Sequence, residues 1–174
     1  MFLFLLACMV SGDVKDDEIN LQFDKITVLD GDAFVETELL YTDPLRDIAI
    51  LRPKTKLESV KPIRWKVNND ADLIGIHVNY TGYPSELGKV LIRGMISGGD
   101  STNFLMQSFA LPGSSGSVVF DNKGRVVGVV SAVMLHGTPY SPHPQLQENM
   151  VYVGKLDFIN RGFIKEIFNV SRDP

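Results

Sequence analysis

One cysteine, three histidines and no run of basic residues mark what this 174-residue chain does without. A lone thiol excludes an internal disulfide framework and any Cys-rich zinc module. The histidines, at 77, 136 and 143, have no metal-ligand spacing, so neither a metal nor a cofactor is expected. Lys and Arg number 17 against 21 Asp and Glu, a formal charge of −4, which argues against a nucleic-acid or anionic-membrane surface. A helix needs about 20 apolar residues to span a bilayer, and the most apolar stretch, Met1 to Val10, falls short of that. No Lys or Arg precedes Lys15, and Leu5-Leu6-Ala7-Cys8 has too short a leader for a lipobox. The opening therefore reads as a buried strand ending at Ser11-Gly12-Asp13 rather than as an export signal; the compartment stays open. Hydrophobic residues at 44% and charged ones at 22% describe an ordinary globular domain.

What is present is a series of short strands. Lys25–Leu29 runs into the hairpin dipeptide Asp30-Gly31, and Ala33–Tyr41 and Asp47–Leu51 follow. Lys54–Lys66 is polar, lies among Pro53 and Pro62, and connects two halves. Further strands are expected at Asp72–Tyr80, Lys89–Ile96, Asn103–Ala110, Ser117–Phe120, Arg125–Met134 and Met150–Leu156. Only Asp157–Val170 reads as helix, with Asp157 as its cap and Phe158, Ile159, Phe163, Ile167 and Phe168 on one side. Strands at this spacing mean an all-β barrel or sandwich.

Leu111-Pro112-Gly113-Ser114-Ser115-Gly116-Ser117 precedes an apolar strand. Glycines flanking a serine let the backbone turn tightly and aim amide N–H groups into one hollow. Acyl transfer needs such a hollow beside a hydroxyl nucleophile. By itself the segment is also an ordinary Gly/Ser turn.

Gly113-Ser114-Ser115-Gly116-Ser117 resembles the nucleophile turn of trypsin-like serine proteases, especially the HtrA-like bacterial and phage members. Gly124–Ala132 resembles their specificity-pocket strand, and Asp47-Ile48-Ala49-Ile50-Leu51 resembles the motif carrying the triad aspartate. Gly82-Tyr83-Pro84 followed by Gly94–Ser97 is similar to the first hairpin of their second barrel. The resemblance, in register from about residue 24 to the terminal helix, implies two antiparallel six-stranded-type barrels and a C-terminal α-helix. It divides the chain into a partial barrel over 1–53, a connection over 54–68, a second barrel over 69–156 and a helix and tail over 157–174. It implies a serine endopeptidase working through an acyl-serine intermediate, with Ser115 as nucleophile and Asp47 as orienting carboxylate. The N–H groups of Gly113 and Ser115, flanking Ser114, would form the oxyanion hole. Ser131, Ala132 and Val133 would line the wall on which a substrate strand adds. Phe109 would stand at the pocket floor, favouring small or apolar side chains there.

Two departures qualify that expectation. The family's histidine precedes the Asp motif, yet the segment that fits its slot, Leu5–Gly12, puts Cys8 there. A thiol is a poor proton relay, and its thiolate competes as a nucleophile. His77 falls in an expected strand and reads as structural; His136 and His143 fall in or beside the loop Gly137–Pro144, where one could line the cleft. The first barrel, in turn, would have four of six strands and an open edge. A truncated reading, a partner chain completing the barrel, and a decayed relative all fit. Ser117 replaces the motif's second glycine, and Ser114 stands where relatives have Asp or Asn, which argues against activation by a freed N-terminus. Two readings follow: a protease lacking its base, or a pseudoprotease that binds a polypeptide along Ser131–Val133.

Overall fold

A computed structural model of the chain describes residues 4–6, 26–59, 73–84, 87–136 and 145–170. Among these residues, ten strands and one helix follow in order: β1 (Phe4–Leu6), β2 (Ile26–Asp30), β3 (Ala33–Asp43), β4 (Ile48–Pro53), β5 (His77–Gly82), β6 (Val90–Gly99), β7 (Asn103–Gln107), β8 (Val118–Asp121), β9 (Val126–His136), β10 (Gln145–Lys155) and α1 (Arg161–Val170). The first four form an antiparallel sheet in the order β1-β4-β3-β2, and β5 to β10 close into a barrel in the order β10-β7-β6-β5-β8-β9. The expected all-β class, with one closed barrel, one incomplete one and a C-terminal helix, is the observed one. Among the described residues no helix is long and apolar enough to cross a membrane.

Two cores account for the arrangement. Val78, Tyr80, Ile96, Met106, Val119, Val127, Val130, Val151 and Val153 fill the barrel. A second cluster joins Ile48 and Ile50 of β4 to Val126 and Val129 of β9 and to Leu156, Ile159, Ile167 and Phe168. The run Val126-Val127-Gly128-Val129-Val130 thus faces apolar surroundings on both sides, which is why it lacks the polar alternation of a half-exposed strand. Gly154 of β10 lets the two units meet: a Cβ there would run into the backbone carbonyl of Arg46. Tyr41, Phe158 and Phe163 complete the seam with tilted and edge-on ring contacts.

Several boundaries differ from the sequence expectation. The helix begins at Arg161, not near Asp157, because the Asn160 side chain accepts from the N–H groups of Gly162 (2.8 Å) and Phe163 (3.0 Å). Asp157 lies 3.8 Å from the Arg46 guanidinium instead. The stretch expected as strand from Asp72 enters β5 only at His77, since Leu73–Ile76 closes a turn with Gly75 at φ 86°. The strand expected over Asn103–Ala110 ends at Gln107, and β10 starts five residues earlier than expected, at Gln145. There it pairs with His136, which ends β9 rather than lying in the loop. Cys8 and His143 lie outside the described residues.

Candidate active site

The Gly/Ser turn is held by its own backbone and by β9. Ser114 donates its N–H to Leu111 O (2.9 Å), and Ser117 donates to Ser114 O (3.1 Å). Gly116 N donates to Val130 O (2.8 Å), while Val130 N donates to Ser117 O (2.9 Å), which ties the turn to β9. Gly113 and Gly116 have φ of 91° and 84°, in the left-handed region where a side chain is strained. That curvature leaves the Ser115 side chain exposed. Among the described residues, the amides of Gly113 and Ser115 donate to no internal acceptor, as an anion-binding hollow requires.

A bulge in β9 links this turn to the sheet. Tyr152 of β10 faces Ala132, whereas the next residue, Val153, faces Val130, so Ser131 is the extra residue. Bulges re-aim backbone and side-chain groups beside active sites. Here the Ser131 carbonyl accepts from Ser115 Oγ at 2.8 Å, and the Ser131 hydroxyl donates to Asp47 Oδ2 at 2.7 Å. Asp47 and Ser115, 68 positions apart in the sequence, are thereby bridged by one serine.

Asp47 reaches that position through an unusual backbone. Its φ of 53° is the only positive value at a non-glycine among the described residues. Such a conformation persists where surrounding structure over-determines it. The preceding turn supplies this: Asp43 accepts from the N–H groups of Leu45 and Arg46, both at 3.1 Å, and from the Arg46 guanidinium at 2.7 Å. Arg46 also lies over the Phe158 ring, 4.9 Å from its centroid. Ile48, buried directly after Asp47, anchors the other side.

The remaining sites fall as follows. Ala132 and Val133 are half-buried on β9, beyond the end of β8, whose last partner on β9 is Val129. The Phe109 side chain is 49% exposed, and its carbonyl accepts from the Tyr80 hydroxyl at 2.7 Å. His77 is exposed at the start of β5 and hydrogen-bonds neither Ser115 nor Asp47.

With this arrangement in view, comparison with known proteins is specific. The profile described as trypsin-like peptidase domain matches residues 7–129, well over half of the chain. The chain belongs to that family. Among solved structures, this trypsin-like peptidase domain is similar to the HtrA-type protease AlgW, solved with a decapeptide, at a TM-score of 0.63. Identity is 16% over 99% of this chain and 49% of AlgW, so the likeness is one of fold, and the domain spans about half of that chain's length. No curated protein sequence matches.

Sequence reading placed Ser131 on the substrate wall but missed its hydroxyl as a partner for Asp47. It also missed Tyr80 and Gly82, which point inward from β5 toward the turn. A signal for them existed: a tyrosine buried in a strand needs a partner for its hydroxyl.

Proposed function

We propose that the domain is a serine-endopeptidase unit with Ser115 as nucleophile and Asp47 as the carboxylate that orients and stabilises a protonated base. The hydrogen-bonded line from Ser115 through Ser131 to Asp47 supports this most strongly. In the reaction, Ser115 Oγ bonds to the scissile carbonyl carbon as its proton passes to the base. The base returns that proton to the leaving amine as the C–N bond breaks, and water then hydrolyses the acyl-Ser115 ester. The N–H groups of Gly113 and Ser115 would hold the oxyanion, and the β9 edge at Ser131–Val133 would align the polypeptide. The Ser115 proton is directed at a carbonyl, which cannot remove it. Turnover therefore depends on an imidazole supplied to the site. Loss of the histidine from a serine-protease triad costs about 10⁶-fold in kcat.

The same hydrogen bond favours a second reading, a pseudoprotease that binds extended peptides by strand addition along β9. Intact-mass analysis after reaction with a fluorophosphonate separates the two. One adduct on the parent and none on Ser115→Ala is the expected result for an activated nucleophile. A folded parent that takes no adduct overturns the enzyme reading for this chain and leaves the binding module.

A further inference from the structure

Resting on the reading of Ser115 as nucleophile, we infer that Tyr80 is the positioning residue of the nucleophile turn, pinning both of its arms through one buried hydroxyl. Tyr80 is 0% exposed within the barrel core, an unusual place for a phenol unless its hydroxyl is engaged. Its proton goes to the nearer acceptor, Phe109 O at 2.7 Å, at the start of the segment that leads into the turn. The same oxygen lies 3.4 Å from Ser114 Oγ, on the far arm. Ser114 is 1% exposed and sits between Gly113 and Ser115, the two residues whose amides the proposed function assigns to the oxyanion. Ser114 Oγ accepts from Leu111 N at 3.3 Å and can direct its own proton to the phenol oxygen, so Tyr80, Ser114 and Leu111 form one connected set.

Strand β5 is shaped as the seat for this turn. Two residues beyond Tyr80, on the same face, Gly82 lets the turn come close: a Cβ there would meet the Ser117 hydroxyl, which would have to rotate away, and would stand 3.9 Å from Ser114 Cα. Tyr80 and Gly82 together therefore act as a post and a notch, one bonding to the turn and the other letting it approach. Both partners of the pin are neutral. Burial raises the phenol's pKa above its ordinary value, and the Ser114 contact offsets part of that rise.

The test uses the full chain and Tyr80→Phe, which removes one oxygen and keeps the ring in the core. Two readouts are followed: the rate of fluorophosphonate labelling at Ser115, and hydrogen exchange of the amides from Leu111 to Ser117. Labelling at least tenfold slower, with exchange of Leu111, Ser114, Gly116 and Ser117 accelerated about tenfold and that of Ile96 and Met106 unchanged, is the expected result. Val151→Ala, a core change elsewhere in the barrel, lowers the thermal midpoint and leaves labelling at the parent rate. Ser114→Ala should reproduce the Tyr80→Phe pattern in a second background. Parent-like exchange across the turn in Tyr80→Phe overturns the inference, as does a labelling loss matched by Val151→Ala. If the parent takes no adduct, the nucleophile reading of Ser115 fails, and the exchange comparison alone decides whether Tyr80 orders the turn.

Discussion

The closed barrel and the four-stranded sheet are built from similar strands but are stabilised differently. In the barrel each strand has a neighbour on both sides, and its inward residues Val78, Tyr80, Ile96, Met106, Val119, Val151 and Val153 are fully buried. In the sheet, the outer strands β1 and β2 each have one partner among the described residues, and the large side chains of β3 include Phe34 at 77% and Leu39 at 42% exposure. Its buried apolar residues concentrate on β4, where Ile48, Ile50 and Leu51 lie, and Ile48 and Ile50 join the cluster shared with β9 and the helix. Among the described residues, the barrel encloses a core of its own, whereas Ile48 and Ile50 of the sheet are buried in the cluster it shares with β9 and the helix. The division matters for the proposed chemistry, because the Gly113–Ser117 turn belongs to the barrel and Asp47 belongs to the sheet. Their alignment depends on the seam.

Cutting a side chain from the barrel core should have the largest effect. Met106→Ala leaves a cavity at a fully buried position and is expected to destabilise the fold by about 2–5 kcal/mol in chemical denaturation. A loss below about 1 kcal/mol would mean that the barrel is not the stable half.

A change at the seam should fall in between. In Gly154→Ala the new Cβ meets the Arg46 carbonyl and lies 3.1 Å from Ile48 Cδ1, and backbone cannot yield as a flexible side chain does. Overpacking of this kind costs about 1–3 kcal/mol. Amide exchange should rise selectively in β3 and β4 while β5 to β8 keep parent rates. Equal acceleration in both units would show that they unfold as one and would blur the distinction between them.

The smallest effect is expected at the sheet surface. Phe34→Ser replaces an exposed side chain and should change stability by no more than about 0.5 kcal/mol. A larger loss would mean that Phe34 is covered in solution, giving the sheet a core of its own.

Much of the fold was legible because strand signals are local. Asp30-Gly31 ends β2 and turns it into β3, and the valine run of β9 reads as a strand buried on both faces. The resemblance carried by Asp47–Leu51 and Gly113–Ser117 reached the family. Boundaries failed where a competing side chain intervened: Asn160 caps the helix in place of Asp157, and the Leu73–Ile76 turn delays β5. At the site, Ser131 as a bridge was invisible because a bulge is a property of two paired strands. Tyr80 was hidden for a similar reason, since its partners lie 29 and 34 positions away.

By itself, then, the chain's order of residues determined the strand succession, the Gly/Ser turn and the Asp motif, all set by backbone preference and side-chain alternation within a few residues. Only the tertiary structure decided that β5 to β10 close into a barrel while β1 to β4 pair in a separate sheet, that Ser131 faces both Ser115 and Asp47, and that one phenol reaches both arms of the turn. Those outcomes depend on pairing register and on packing between distant segments, where a shift of one residue redirects a hydroxyl or a carbonyl to a different partner.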